Sequence, residues 1–354
     1  MILVTGGCGF IGANFVLDWI NIVKEPVIVL DKLTYAGNIN NLDSLRHSPE
    51  LIFIKGDIND PPLVESILTQ HRPRAMLNFA AESHVDRSIR KPDDFIHTNI
   101  NGTFCLLENA RQYWQHLSGN EKEAFRFLQV STDEVYGSLA AQDPAFSETT
   151  PYHPKNPYSA SKAAADHLVS AFHHTYGMPT LITNCSNNYG PYQFPEKLIP
   201  LLILNALQNK PLFIYGDGLQ IRDWLYVKDH CEGIRKVLAD SPIGETFNIG
   251  GNFEKTNLEV VHTVCDILDQ LKPAKHSYKT LITHIEDRPG HDRRYAIDSK
   301  KIQTKLNWQP TETFESGIRK TIQWYLDNLA WFDTLKNNNH YQNWINSHYK
   351  ESAT

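Results

Sequence analysis

Ile2-Leu3-Val4-Thr5-Gly6-Gly7-Cys8-Gly9-Phe10-Ile11-Gly12 runs from an apolar strand through a glycine turn into a helix. Gly6, Gly9 and Gly12 give a G-x-x-G-x-x-G spacing, and the strand before it and helix after it make the pattern informative. Glycines let such a turn tighten and the backbone approach a pyrophosphate, whose charge then sits at a helix N-terminus. An ordinary glycine-rich turn is the alternative. A second apolar run, Val27–Asp31, argues against it by ending in a carboxylate 19 residues after Gly12. Asp31 would accept hydrogen bonds from adenosine ribose hydroxyls and repel a 2′-phosphate, which favours NAD over NADP. Lys32 follows at once and could hold a phosphate, so the preference is not absolute. Asp57 and Ile58 come after a third apolar run; Asp57 either meets adenine there or caps the next helix.

Outward from this turn, strand-like and helical stretches alternate. Strands are expected at Ile2–Thr5, Val27–Asp31, Leu51–Asp57, Ala75–Ala80, Phe125–Ser131 and Thr180–Cys185. Helical patterning covers Ile11–Val23, Leu63–Gln70, Asp94–Tyr113 and Ala160–Tyr176. This alternation predicts an α/β fold with a Rossmann-like, doubly wound parallel sheet. Past about residue 186 the texture changes: Pro191, Pro195 and Pro200 interrupt it, and shorter elements follow. We read residues 1–186 as a dinucleotide-binding domain and 187–330 as a smaller α/β substrate lobe. The lobe is interleaved with that domain, because parts of the later chain return to it. Residues 331–354 read as a helical tail.

Composition narrows the partners. The chain has 354 residues, 41% hydrophobic and 21% charged, with net charge −6. No Lys/Arg run suggests nucleic acid. The longest apolar run, Leu198–Leu207, is too short to span a bilayer. The N-terminus enters a strand directly, which leaves no room for a signal peptide. Five scattered cysteines lack C-x-x-C spacing, which points to reduced thiols and a cytoplasmic location. The sixteen histidines form no ligand spacing, and no metal site is expected.

Chemistry concentrates in two places. Thr132-Asp133-Glu134 emerges at the C-terminal end of the fifth strand, the edge where open α/β sheets bind ligands. Tyr158 and Lys162 lie four apart on an Ala-rich helix, hence on one face. A phenol of ordinary pKa near 10 is a poor base at neutral pH. Lys162 and a nicotinamide cation would stabilise its phenolate, so that Tyr158 could take a hydroxyl proton while hydride leaves the same carbon. Two further carboxyls exceed what hydride transfer needs. A polar strand end that caps the next turn is the plainer reading of the triplet.

The glycine turn plus Tyr-x-x-x-Lys resembles the extended short-chain dehydrogenase/reductases. Further motifs narrow the likeness: Asp31-Lys32-Leu33-Thr34-Tyr35-Ala36-Gly37-Asn38, Ala80-Ala81-Glu82-Ser83-His84-Val85-Asp86-Arg87-Ser88 and Ser131-Thr132-Asp133-Glu134-Val135-Tyr136-Gly137. Asn184-Cys185-Ser186-Asn187-Asn188-Tyr189-Gly190-Pro191, Ile221-Arg222-Asp223-Trp224 and Asp287-Arg288-Pro289-Gly290-His291-Asp292 extend it. Together they resemble the dTDP-glucose 4,6-dehydratase family from residue 1 to about residue 325.

That resemblance implies a reaction. The tyrosine at Tyr158 takes the proton of the sugar 4-hydroxyl while hydride passes from C4 to NAD. The 4-ketone acidifies the C5 proton, which Glu134 takes, while Asp133 protonates the departing C6 hydroxyl. Water leaves, the hydride returns to C6, and NAD stays bound and is regenerated. Thr132 would hydrogen-bond the 4-oxygen.

The resemblance also implies cofactor contacts at Gly6, Gly9, Phe10, Ile11, Gly12, Asp31, Lys32, Leu33, Thr34, Asp57 and Ile58. Phe79, Ala80, Ala81, Ser83, Thr98, Tyr158, Lys162 and Asn188 complete that set. Nucleotide-sugar contacts fall to Ser83, Thr132, Asn187, Lys197, Leu198, Arg222, Asn257, Asp287, Arg288 and His291, with Phe213 and Tyr215 lining a base pocket. Arg222 and Arg288 suit a diphosphate. The implied product is dTDP-4-keto-6-deoxy-glucose, on the way to 6-deoxy sugars, and the implied assembly is a homodimer built on helices near Asp94–Tyr113 and Ala160–Tyr176. Dehydratases of UDP- or CDP-glucose, nucleotide-sugar 4-epimerases or decarboxylases, and a non-catalytic NAD sensor are the alternatives. An epimerase needs no C5 base or C6 acid, so the Asp133-Glu134 pair weighs against it.

Overall fold

The structure, a computed structural model, describes residues 1–287 and 292–336. Its first half is a parallel sheet of β1 (Ile2–Thr5), β2 (Val27–Asp31), β3 (Leu51–Lys55), β4 (Ala75–Asn78), β5 (Arg126–Thr132) and β6 (Thr180–Cys185). The later strands are β7 (Asn187–Tyr189), β8 (Leu212–Tyr215), β9 (Ile221–Tyr226), β10 (Thr246–Ile249), β11 (Glu254–Thr256), β12 (Ile282–Ile285) and β13 (Arg294–Tyr295). Strand β10 returns to the first sheet beside β6, giving seven strands in the order β10-β6-β5-β4-β1-β2-β3.

Strand order reverses between β1 and β4, and there the C-terminal strand ends open a crevice. Alternate residues explain the two-sided burial. Ile2, Val4, Val27 and Val29 pack on one face with Phe15, Val16 and the helix Val227–Asp240. Leu3, Ile28 and Leu30 pack on the other, with the helices Pro61–His71, Thr103–His116 and Pro157–Tyr176. Strands β9, β11, β13 and β7 form a second small sheet, and β8 pairs with β12. These flank a separate apolar core built on the helices Leu198–Leu207, Asn257–Leu271 and Phe314–Asp327.

Several expected elements differ in detail, among them the helix expected over Ile11–Val23, which is an α-helix over Phe10–Asp18 followed by a π-type stretch Trp19–Val23. The third and fourth strands stop at Lys55 and Asn78, although Gly56 N–H still donates to Asp31 O at 3.1 Å. The helix expected over Asp94–Tyr113 is instead a short turn Asp93–Phe95, a widened π-type stretch Ile96–Gly102, and the helix Thr103–His116. Within the widened stretch Asn99 Nδ2 donates to Glu82 O at 3.0 Å and Ser161 Oγ at 2.8 Å, while Thr98 faces the crevice. A π-type turn at a functional cleft is a recurring association. The tail beyond Leu326 forms the helix Leu329–Lys336, whose Trp331, Phe332 and Leu335 enter the second core. The rest of the expected tail lies outside the described residues.

Candidate active site

The glycine turn is held by contacts that exclude side chains. Gly6 adopts φ +68°, and a Cβ there would lie 2.6 Å from Ala80 N. A Cβ on Gly12 would lie 2.3 Å from Gly6 O, so the helix starting at Phe10 can close on the turn only with glycine at that position. That helix points its unpaired N–H groups into the crevice. Across the turn, the Asp31 carboxylate accepts from Cys8 N and Leu33 N, each at 2.8 Å. This fixes the carboxylate at the crevice edge while leaving lone pairs for a hydroxyl-bearing ligand. The Lys32 ammonium pairs with Asp57 Oδ2 at 2.6 Å, so it is engaged rather than poised for a phosphate. Asp57 does not cap the next helix; Asp60 does, accepting from Leu63 N at 3.1 Å.

The crevice encloses about 810 Å³. Each expected cofactor residue lines it: Gly6, Gly9, Phe10, Ile11, Gly12, Asp31, Lys32, Leu33, Thr34, Asp57, Ile58, Phe79, Ala80, Ala81, Ser83, Thr98, Tyr158, Lys162 and Asn188. The glycine cradle and the anchored carboxylate fit a dinucleotide. Thr132, Asp133, Glu134, Asn187 and Lys197 share the same walls.

Tyr158 and Lys162 reach the crevice because their helix is set firmly. Asn156 and Ser159 form a reciprocal capping box with Pro157 at the first position, and Gly177 closes the far end at φ +68°. The Lys162 ammonium donates to Val130 O at 2.8 Å, so it is tied to β5 just before the triplet. Burial pushes the Tyr158 phenol well above the ordinary value, with Glu134 adding to the rise and nearby Thr132 opposing it. The side chains of this site therefore do not by themselves make Tyr158 basic; the positive charge of a bound nicotinamide would supply the missing pull.

The triplet meets the plainer of its two sequence readings and also lines the crevice. Thr132 Oγ1 accepts from Glu134 N at 3.3 Å and so caps the turn Asp133–Tyr136, while the two carboxyls project at the crevice wall. Asp133 is only 1% exposed, and its Oδ2 finds no hydrogen-bond partner among the described residues. Burial, then the Glu134 and Asp223 carboxylates, push its carboxyl well above the usual range. Glu134 is also raised by burial, but Lys197 and Arg222 pull it back toward the ionised form. Unequal surroundings of this kind divide two neighbouring carboxyls into an acid and a base.

Some expected sugar-nucleotide residues stand further out. Arg222 stacks its guanidinium over Tyr295 at 4.5 Å and donates to Ile221 O and Asp292 O, on the side of the triplet. Leu198 opens the helix above the crevice, Phe213 and Tyr215 lie on β8, and Asn257 N–H donates to Gln220 O at 3.0 Å. Asp287 accepts from Gln220 Nε2 at 3.0 Å. Of these, none lines the crevice directly, and Arg288 and His291 lie outside the described residues.

Sequence reasoning missed a cluster at the mouth. Tyr35 donates to Glu196 Oε1 at 2.9 Å and lies beneath the Arg87 guanidinium at 3.8 Å. His84 accepts from Arg87 N and comes within 3.8 Å of Glu196. The cluster joins the loop after β2 to the segment after β7, a pairing no local pattern announces.

Comparison with known proteins agrees with this geometry. A protein from Xanthomonas campestris pv. campestris (strain B100) named dTDP-glucose 4,6-dehydratase is 59% identical, with 93% of this chain and 94% of that one covered. One from Escherichia coli (strain K12), dTDP-glucose 4,6-dehydratase 1, is 56% identical over 99% of both chains. The crystal structure of the Bacillus anthracis dTDP-glucose 4,6-dehydratase in complex with NAD superimposes with TM-score 0.83 at 45% identity, covering 94% of this chain and 99% of that one. The family model for GDP-mannose 4,6 dehydratase matches residues 3–321. Fold, crevice and relatives agree, and the chain belongs to the GDP-mannose 4,6 dehydratase family.

Proposed function

We propose that this chain is an NAD-dependent hydro-lyase that converts dTDP-glucose to dTDP-4-keto-6-deoxy-glucose and water. One observation carries the reading most: a sealed Asp133 and a cation-flanked Glu134 share a crevice with Tyr158 and Lys162. NAD, which Gly6, Gly9, Gly12 and Asp31 would hold along the glycine turn, would supply the two-electron chemistry as acceptor of the C4 hydride and its donor to C6.

The chain's own groups move the protons. Tyr158 takes the 4-hydroxyl proton, with Thr132 orienting the oxygen and Lys162 keeping positive charge nearby. The 4-ketone makes the C5 proton acidic, and Glu134, held toward its ionised form by Lys197 and Arg222, removes it. Asp133, kept protonated by burial and by its carboxylate neighbours, delivers a proton to the leaving C6 oxygen, and Glu134 returns its proton to C5 when hydride reaches C6. Lys197 also donates to Ser83 O at 3.1 Å, which steadies both residues on the sugar side. Arg222, Arg288, Asn257, Asp287 and His291 would hold the diphosphate and nucleoside, with Leu198, Phe213 and Tyr215 beside the base. An epimerase would have no use for the acid and base pair, which is why that reading ranks second.

We also read the chain as a cytoplasmic homodimer. The five cysteines among the described residues are free and buried, as expected of a reducing compartment. No helix among the described residues is long and apolar enough to cross a membrane. Ile96, Phe104 and Tyr176 are 44%, 50% and 47% exposed on the helices expected to pair.

Incubation with dTDP-glucose and with UDP-glucose tests the proposal. A 4-keto-6-deoxy sugar seen by NMR from dTDP-glucose, with no net NADH and with C4 deuterium recovered at C6, is the expected result. Recovery of a galactose nucleotide would overturn it in favour of epimerisation, and equal rates with UDP-glucose would overturn the base preference.

A further inference from the structure

One turn beyond the Tyr158/Lys162 pair, the same helix face carries a third ionisable side chain. Asp166 follows Lys162 by four residues, as Lys162 follows Tyr158, so the three stack in a column. Asp166 is 2% exposed and lies behind the crevice, not in its lining. Its Oδ2 accepts from Ser131 Oγ at 2.6 Å, Tyr152 OH at 3.2 Å and Asn184 Nδ2 at 3.4 Å. Asn184 Nδ2 also reaches Thr132 O at 3.1 Å. The other oxygen, Oδ1, has no hydrogen-bond partner among the described residues. One carboxyl thus joins β5, β6, the loop before the helix, and the helix itself.

We propose that Asp166 is a positioning residue for the oxidation step, supplying the buried counter-charge that keeps Lys162 an ammonium and holding Ser131 and Asn184 around the backbone of Thr132. The inference rests on the proposed role of Tyr158 as the group that takes the sugar hydroxyl proton. The Val130 carbonyl takes one of the three Lys162 N–H donors but does not balance the charge. In a dry interior an unbalanced charge is strongly disfavoured, and a carboxylate one turn away offsets it.

The groups facing the pair agree with that assignment. Lys162 meets the Val130 carbonyl and the Cys185 thiol besides Asp166. Asp166 accepts hydrogen bonds from neutral groups, Ser131 of β5, Asn184 of β6 and Tyr152 of the loop, and feels the Lys162 charge across one helical turn, with the Tyr136 phenol of the turn after β5 also within its influence. Burial lowers the Lys162 ammonium below its ordinary value, and the Asp166 charge pushes it back up. Burial raises Asp166 itself to about 6, against the pull of Lys162 and the three donors, so it is ionised at neutral pH.

The sign of the test follows. Removing the Asp166 charge lowers the Lys162 pKa further, so the ammonium is lost at a lower pH. Asp166→Asn and Asp166→Ser remove the charge; Asp166→Glu keeps it. Stopped-flow absorbance of bound NADH on mixing with dTDP-glucose reads the oxidation step across pH, each variant scaled to its own maximum and assayed at full NAD occupancy. Both neutral variants should lose the alkaline part of the profile at least one pH unit earlier than wild type, with KM within about threefold, while Asp166→Glu should keep the wild-type limb. A uniform fall at every pH, with the limb unmoved in either neutral variant, would overturn the inference and leave Asp166 a packing residue. A wild-type protein that forms no bound NADH with dTDP-glucose would remove the reading of Tyr158 itself, and this role with it.

Discussion

Asp133 and Glu134 are consecutive residues with opposite electrostatic surroundings. Asp133 is sealed and flanked first by carboxylates, whereas Glu134 borders the crevice and is flanked first by the cations Lys197 and Arg222. Each carboxyl is raised by burial; at Asp133 the Glu134 and Asp223 carboxylates outrank the single cation Arg222, whereas at Glu134 the cations Lys197 and Arg222 outrank the carboxylate Asp292. The surroundings therefore favour the protonated form of Asp133 more strongly than that of Glu134.

Replacing each member separately should divide the reaction. Glu134→Gln is expected to oxidise C4 yet exchange no C5 proton with solvent, and Asp133→Asn to oxidise C4 and exchange C5 but eliminate water poorly. Each loss of a general acid or base should lower turnover by roughly 10²–10⁴-fold. Deuterium uptake at C5, followed by mass spectrometry, distinguishes them; full exchange in Glu134→Gln would remove it from the role of base. Because Asp133 must stay protonated, elimination should fall as pH rises through its elevated pKa and not the reverse.

Tyr158→Phe tests the first step alone. The phenyl ring keeps the packing against Phe95, whose ring centroid lies 6.3 Å away, but loses the hydroxyl. Oxidation at C4 should drop by roughly 10²–10⁴-fold. NAD occupancy should be unchanged. A wild-type burst of bound NADH in this variant would point to a different base.

How much of this was legible in the chain depends on the range of the interaction. The glycine turn, β1, β2 and β6 follow from local patterning, because strand period and turn chemistry act over a few residues. The Tyr158/Lys162 face follows from helical spacing alone. Glu196 and Asp166 did not stand out, since each gains its meaning from partners brought together by the fold: Tyr35 lies 161 residues from Glu196, and Ser131 lies 35 from Asp166. The break at Ile96–Gly102 was hidden for the same reason, as Asn99 is drawn to Glu82 and to Ser161 rather than to its own helix.

Asp31 should set the cofactor preference. Its carboxylate is already fixed by two backbone donors, so a ribose hydroxyl meets an acceptor that does not have to move. Hydrogen bonds to a charged group contribute about 1.5–3 kcal/mol. Asp31→Asn should therefore weaken NAD binding by about 10- to 100-fold and narrow the preference over NADP. Fluorescence titration of cofactor-free protein measures both; an unchanged preference would place the discrimination elsewhere.

His230 should make the fold sensitive to acid. It is fully buried, its Nδ1 meets Asn188 Oδ1 at 2.9 Å, and burial lowers its pKa from 6.5 to about 3. Below pH 6.5 the unfolded chain takes up a proton that the folded chain refuses. Stability then falls with pH until about 3, at roughly 1.4 kcal/mol per unit. Urea midpoints at pH 7 and pH 5 should differ less in His230→Gln than in wild type. Equal differences would show that other groups carry the acid sensitivity.

The proposed dimer can be broken at one ring. Phe104 contacts Phe172 at 6.3 Å between centroids, and Phe172 contacts Tyr176 at 5.1 Å, which links the two helices into one half-exposed aromatic face. In a two-fold interface each substitution counts twice. Phe104→Asp removes about 2 kcal/mol of apolar burial per copy, or about 4 kcal/mol per dimer. The dissociation constant should rise on the order of 10²–10³-fold, which sedimentation equilibrium would register as monomer at micromolar concentration. Because Phe104 stands outside the crevice lining, NAD occupancy should survive the change. A variant that sediments as wild type would move the interface away from this face.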